Sequence, residues 1–269
     1  MKTSPRHVAK VSAAGISAAA LALTLGLGTP SGASAGEADA KSLLKAMSDY
    51  MAAQEALSFA YDATLEVATT EHQILALASS GTAILKRPDK MRATRSGGFA
   101  DIEMIFDAKM LTLVGKNANV YTQIAIPGTT DHLIDELQGT YNRPFPAGDL
   151  LVTDVYDRLM SGVVDIKDLG SGVIGGAECD HLAFRTNDVD WQIWIAQGDR
   201  PYPCRYVITS KLVTDGPQYS IQIRDWKAGD EVAADDFGFK NATKAKKMDL
   251  KDIRDMNDIP ENYVIEGAK

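Results

Sequence analysis

The side chains best suited to acid–base or metal chemistry are the histidines, and three of the four, His72, His132 and His181, lie beyond the N-terminal stretch that reads as a leader. His132 sits between Asp131 and Asp135, and His181 shares a strand face with Cys179. A metal site needs three or four converging ligands, usually announced by Cys-x-x-Cys, His-x-x-x-His or His-Glu spacing. None of these patterns occurs, so the histidines read as packed or solvated groups. Gly170-Ser171-Gly172-Val173-Ile174-Gly175 has the spacing of a dinucleotide fingerprint. That motif works where a strand turns into a helix whose amides face a pyrophosphate. Here the following run, Ala177 to Arg185, alternates like a strand, and Gly175-Gly176 reads as a tight turn. A Gly-x-Ser-x-Gly nucleophile elbow is also missing. Asp235-Asp236 and the carboxylates from Asp249 to Asp258 read as solvated surface, with spacing unlike an EF-hand loop. The expectation is a protein without a catalytic constellation, cofactor or metal, and not an enzyme.

Aromatic and aliphatic bulk is the remaining feature. Trp191 and Ile193 share one strand face, Trp194 takes the other, and Tyr206 with Ile208 repeats the pattern on the next strand. Each residue alone is explained by an ordinary core, because one face of every strand must be buried. A tryptophan on each face of one strand implies that both faces are covered, or that one lines a pocket. An apolar cavity under a helical segment would suit a hydrophobic ligand. The candidate lining is Phe59, Tyr61, Leu65, Trp191, Ile193 and Tyr206.

The elements that must position these residues are read from their periods. Residues 37–57 place Leu43, Leu44, Met47, Met51 and Leu57 at helical spacing. The period then switches to two, with Phe59, Tyr61, Ala63, Leu65 and Val67 alternating against more polar neighbours. Further strands are expected at about 73–86, 90–96, 100–107, 110–115 and 119–126, joined by turn residues such as Arg87-Pro88-Asp89 and Pro127-Gly128. Leu133, Ile134 and Leu137 mark one helical segment. Leu150, Leu151, Val155 and Leu159 mark a second, separated from it by Arg143-Pro144-Phe145-Pro146. Strands resume at about 163–167, 171–174, 178–186, 190–197, 204–213 and 218–226, before a charged tail from about 240 to 269. Long antiparallel strands with a few helices on one face make the class α+β, or a curved half-barrel holding helices in its concavity.

Lys2, Arg6 and Lys10 precede an apolar run from Val11 to Leu27, and Ala33-Ser34-Ala35 supplies the small-x-small pattern of a signal-peptidase cut. The expected organisation is a signal peptide, 1–35, cleaved after Ala35, followed by one β-rich domain, 36–269, periplasmic and not integral to the membrane. Without the three leader cations the formal net charge of -8 becomes about -11. That sign disfavours nucleic acid and anionic membrane surfaces as partners. Cys179 and Cys204 enter an oxidising compartment. They either form a disulfide or remain two small buried thiols, since the strand around Trp191 to Ile195 lies between them and separates their Cα atoms.

Three motifs in order, Cys179 to Arg185, Asp190 to Ile195 and Arg205 to Lys211, resemble the predicted periplasmic family called domain of unknown function 2092. Tyr61 to Val67, Arg87 to Arg92, and Phe237 with Phe239 fit as well, so the resemblance covers most of the domain. Cys204 departs from it, where a basic or small residue is more usual, and the pairing of the cysteines stays open. The layout is similar to the lipoprotein carriers LolA and LolB, which implies a half-open antiparallel barrel with helices closing an apolar cavity. The resemblance implies a non-enzymatic binding protein for a lipid or lipid-modified peptide in the envelope. The alternative is an interaction or structural protein whose barrel is filled by its own helices and whose partner is an envelope protein.

Overall fold

The computed structural model describes residues 33–98, 100–141 and 145–250. The expected leader as far as residue 32 and the tail from 251 onward lie outside them. The expected cut after Ala35 falls in the first turn of helix α1 (Ala33–Ala52). Ala40, Leu44, Met47 and Met51 form one stripe of α1, each at most 1% exposed. The helix stops earlier than its apolar period suggests. Leu57, expected on it, is instead the first buried residue of strand β1 (Ala56–Ala68), because the chain is already paired from Ala56 onward, opposite Lys86.

Two antiparallel meanders follow. The first is β1, β2 (Ile74–Lys86), β3 (Lys90–Gly97), β4 (Asp101–Asp107), β5 (Met110–Gly115) and β6 (Val120–Ala125). The second is β7 (Asp165–Ile174), β8 (Ala177–Arg185), β9 (Val189–Ala196), β10 (Pro203–Ser210) and β11 (Gln218–Ala228). They join where β1 pairs antiparallel with β11, and a short β12 (Lys246–Lys247) adds to β6 in parallel. The result is one 12-stranded sheet, ordered β12-β6-β5-β4-β3-β2-β1-β11-β10-β9-β8-β7, open at β12 and β7.

Between the meanders run α2 (Thr130–Gly139), a 3-10 turn (Gly148–Leu150) and α3 (Val155–Met160). The hydroxyl of Thr129 caps α2 by accepting from the His132 amide at 3.2 Å, and α2 buries Leu133, Ile134 and Leu137. The second helical segment is therefore broken in two. The carboxylate of Asp131 on α2 accepts the Thr153 amide at 3.0 Å, which draws the chain out of helix between the two pieces. The two strands expected at 163–167 and 171–174 are one strand, β7, with a bulge between Asp168 and Ser171 where Gly170 takes a φ of 82°.

Phe106 on β4 and Ile193 on β9, far apart in the strand order, are both 0% exposed and belong to one core with α1, α2 and α3. The sheet therefore curls around its helices, an α+β half-open antiparallel arrangement with the helices on the inner face. Of the charged tail, the described part includes β12, which pairs with β6. Arg92 on β3 donates to Asp235 at 2.8 Å and to the Gly238 carbonyl at 3.2 Å, which holds the segment leading to β12 against the outer face.

Candidate functional site

On the inner face, the strands near the β1–β11 seam and the segment from Phe145 to Leu151 enclose a cavity of about 210 Å³. Its wall follows from pairing register. Phe59 on β1 lies opposite Ala83, then Ala93, Met104 and Leu113 on successive strands. One row deeper, Leu57, Leu85, Met91, Phe106 and Leu111 are at most 1% exposed and close-packed. The hollow opens where alanines at 63, 83 and 93 take the place of such bulk.

The next row outward is Tyr61, Gly81, Arg95 and Ile102. The hydroxyl end of the Tyr61 side chain lies over Gly81, so that a Cβ there would sit 2.6 Å from Tyr61 Cζ and 1.9 Å from the Thr94 carbonyl oxygen. The Tyr61 hydroxyl donates to that carbonyl at 2.9 Å, and the Thr82 amide donates to Thr94 Oγ1 at 3.0 Å. Arg95 is the one charged side chain among the described residues that line the cavity.

Trp226 forms the seam side of the wall. It stacks on Phe59 at 5.9 Å and on Tyr202 at 5.2 Å, and its Nε1 donates to the Tyr50 hydroxyl at 3.2 Å. It faces inward because β11 bulges at Asp225, with a φ of 54°, which inverts the side-chain phase set by Tyr219, Ile221 and Ile223. The 145–151 segment covers the hollow. Phe145 packs over Gly148, where a Cβ would lie 2.5 Å from its ring, and Leu150 and Leu151 are buried. Burial holds the Asp149 carboxyl above the usual carboxylate range, against the opposing pull of Arg158.

Of the sequence candidates, Phe59, Tyr61 and Leu65 line the cavity. Trp191, Ile193 and Tyr206 do not. They are packed in the core, Trp191 stacked on Phe184 at 3.9 Å and edge-on to Tyr206 at 5.9 Å. Burial also raises the Tyr206 phenol well above its usual range. Sequence reasoning missed Arg95, although its phase with Met91 and Ala93, a charge among inward-facing apolar positions, is a readable signal. It also missed Trp226 and the 145–151 cover.

The histidines are dispersed. His72 contacts Asp215 at 3.0 Å on the surface, and His181 stacks on Trp194 and bonds Gln192 at 2.9 Å. The acidic neighbours of His132 are engaged elsewhere, Asp131 with Thr153 and Asp135 with Arg158. Among the described residues no three His, Cys, Asp or Glu side chains gather as a metal site. Cys179 and Cys204 are bridged across the end of β9, with Cα atoms 7.0 Å apart. Cys204 is the extra residue of a bulge between Pro203 and Arg205. The bulge turns Cys204 to the outer face beside Cys179, and Pro203 toward the cavity.

The model of the family described as predicted periplasmic protein (DUF2092) matches residues 40–251. No curated protein matches the chain. Among solved structures, it is similar to the Mycobacterium tuberculosis lipoprotein LppX, with 14% identity over 74% of this chain and 100% of that one, at a TM-score of 0.40. It is likewise similar to LprF from Mycobacterium bovis, with 12% identity over 77% and 100% and a TM-score of 0.45. A LolA superfamily protein from Nitrosomonas europaea shows 13% identity over 71% and 94%, with a TM-score of 0.33. Among the described residues, no helix is long and apolar enough to cross a membrane.

Proposed function

This chain belongs to the predicted periplasmic protein family DUF2092, and from that premise we propose that it is an exported, non-catalytic binding protein for a hydrophobic ligand, a lipid or lipid-modified peptide, in the cell envelope. Export would remove residues 1–35. The observation that carries the reading is the cavity of about 210 Å³, walled by β1–β5 and β11 and covered by the 145–151 segment. Interiors normally pack with few voids larger than a water molecule. A hollow bounded by aromatic and aliphatic side chains, beside a fully packed row, is a place kept open for an apolar group.

The alternative, a self-filled sheet acting through a protein partner, has the β7 edge on its side, where Leu169 and Val173 are 47% and 70% exposed on the terminal strand of the sheet, which pairs only with β8 among the described residues. Organic extraction and mass analysis of protein purified without detergent from its own host's periplasm, followed by titration of the stripped protein with a neutral polarity-sensitive dye, separates the two. Copurified lipid and saturable dye binding that the lipid displaces are expected. Repeated recovery of empty protein that takes up no dye would end the carrier reading and leave the partner reading.

A further inference from the structure

We infer that the cavity is a blind slot for one aliphatic chain, of which it encloses about eight to ten carbons, and that Leu85 and Met91 set this length by filling the space beyond its inner end. This deepens the carrier reading and rests on it. The hollow runs along the strands. Alternate residues of β1 from Phe59 to Leu65 line it, as do those of β11 from Tyr219 to Ile223, which pair with Leu65, Ala63 and Tyr61. The Cα atoms of Phe59 and Leu65 are separated by about 20 Å at about 3.4 Å per residue, and the side chains at both ends shorten the free length. Ala63, Ile221 and Ile223 are buried, so the wall beside the seam is apolar along its course. On β2 and β3, Ala83 and Ala93 carry only methyls, and Gly81 lets the hydroxyl end of Tyr61 settle against β2 instead of standing in the hollow.

The inner end is closed. The lining stops at the row of Phe59, and directly behind Ala83 and Ala93 on the same strands stand Leu85 and Met91, 1% and 0% exposed and in one row with Leu57, Phe106 and Leu111. At the other end Leu65 and Tyr219 are half-buried, so a chain enters there and its terminal methyl stops where Leu85 and Met91 fill the space. The volume sets the number of carbons. A cavity of about 150 Å³ takes up benzene, about 25 Å³ for each of its carbons. At that rate a hollow of about 210 Å³ encloses about eight carbons of one chain, or about ten if the walls give slightly, and has no room for a bundle. Each carbon moved from water into such a wall is worth about four-fold in affinity, and a carbon beyond the slot gains little. Affinity must therefore climb with chain length and then level off.

The test displaces a neutral polarity-sensitive dye from the stripped protein with the straight-chain alcohols from hexan-1-ol to tetradecan-1-ol, which share one head and differ only in length. The series is repeated on Met91→Ala and Ala83→Leu, with thermal melts as folding controls. For the native protein, affinity is expected to rise about four-fold per carbon and to level off near decan-1-ol. Met91→Ala opens space behind Ala93 and should carry the climb on by about two carbons. Ala83→Leu fills the inner end and should stop the climb about two carbons sooner, so that decan-1-ol binds about ten-fold more weakly while hexan-1-ol loses far less. A protein merely loosened by either substitution would lose affinity at every length and keep the same break. A native affinity that climbs to tetradecan-1-ol without levelling, or a break that stays in place in whichever variant folds, would overturn the length assignment while leaving a carrier. Binding of neither dye nor any alcohol would remove the carrier reading and this inference with it.

Discussion

Tyr61, Gly81 and Thr94 form a three-strand unit in which each residue is explained by the others. The ring needs the missing side chain at Gly81 to lie across β2, and it then reaches the Thr94 carbonyl. Gly81→Ala should therefore cost about 2–3 kcal/mol, because the added methyl meets backbone that cannot rotate away. Tyr61→Phe should cost about 1 kcal/mol, the worth of one hydrogen bond. Urea unfolding of both variants checks the order, and a Gly81→Ala protein as stable as the native one would mean that the strands part easily here. At this scale part of the site was legible. Alternation alone put Phe59, Tyr61 and Leu65 on one wall. It could not separate them from Trp191, Ile193 and Tyr206, which obey the same period but lie where the helices fill the sheet. Period two reports the face and not what covers it. Trp226 was illegible for a different reason, since the bulge at Asp225 inverts the phase on which such reading depends.

Elements were legible where a single period ran long, as in the first meander, and illegible where a tertiary contact cut the period, as at Thr153. The motifs carrying the family likeness are clasps between elements. Arg92 of the β2–β3 motif holds the segment containing Phe237 and Phe239, and Phe184, Trp191 and Tyr206 of the three strand motifs pack on one another. They join neighbouring elements and lie outside the lining of the cavity. The 145–151 cover is the element with a cost built in. The Asp149 carboxyl is raised by burial, so the native state binds its proton more readily than the unfolded chain does. Stability from this group falls as pH rises from the ordinary carboxylate value through the raised one, and the deficit is fully present at neutral pH. Asp149→Asn should melt about 1–3 °C higher than the native protein at pH 7. The gap should close as pH falls to about 2, well below the ordinary carboxylate value, where the carboxyl is protonated in both states. Melting curves across that range test the sign, and a variant less stable at pH 7 would show that the attraction of Arg158 outweighs burial.

In the molecule as a whole, two meanders meet at the β1–β11 seam, and the cavity lies beside that seam, where side chains from both halves converge without filling the space. The order of helix, meander, helical insert and meander was readable from turn residues and periods. The β1–β11 pairing was not, because it joins positions as distant as Tyr61 and Ile223, for which local patterning carries no signal. A hollow at such a place weakens the fold, since lining atoms lose contacts they would make in a filled core. If it is kept open for a ligand, stability and binding must oppose one another at the same residue. Ala93 is the position at which to see this, since it lies between Ala83 and Met104 in the row that bounds the hollow, with only a methyl facing inward. Ala93→Leu should raise the unfolding free energy of the empty protein by about 1 kcal/mol by filling part of the void. It should also weaken binding of decan-1-ol by about ten-fold, because the chain loses the space it would occupy. Denaturant unfolding and titration of the same preparation give both numbers. A variant that is more stable and still binds fully would place the ligand elsewhere on the sheet. One that is less stable would mean that the surrounding rows cannot shift to admit a larger side chain, and the void would then be a consequence of how the two halves meet.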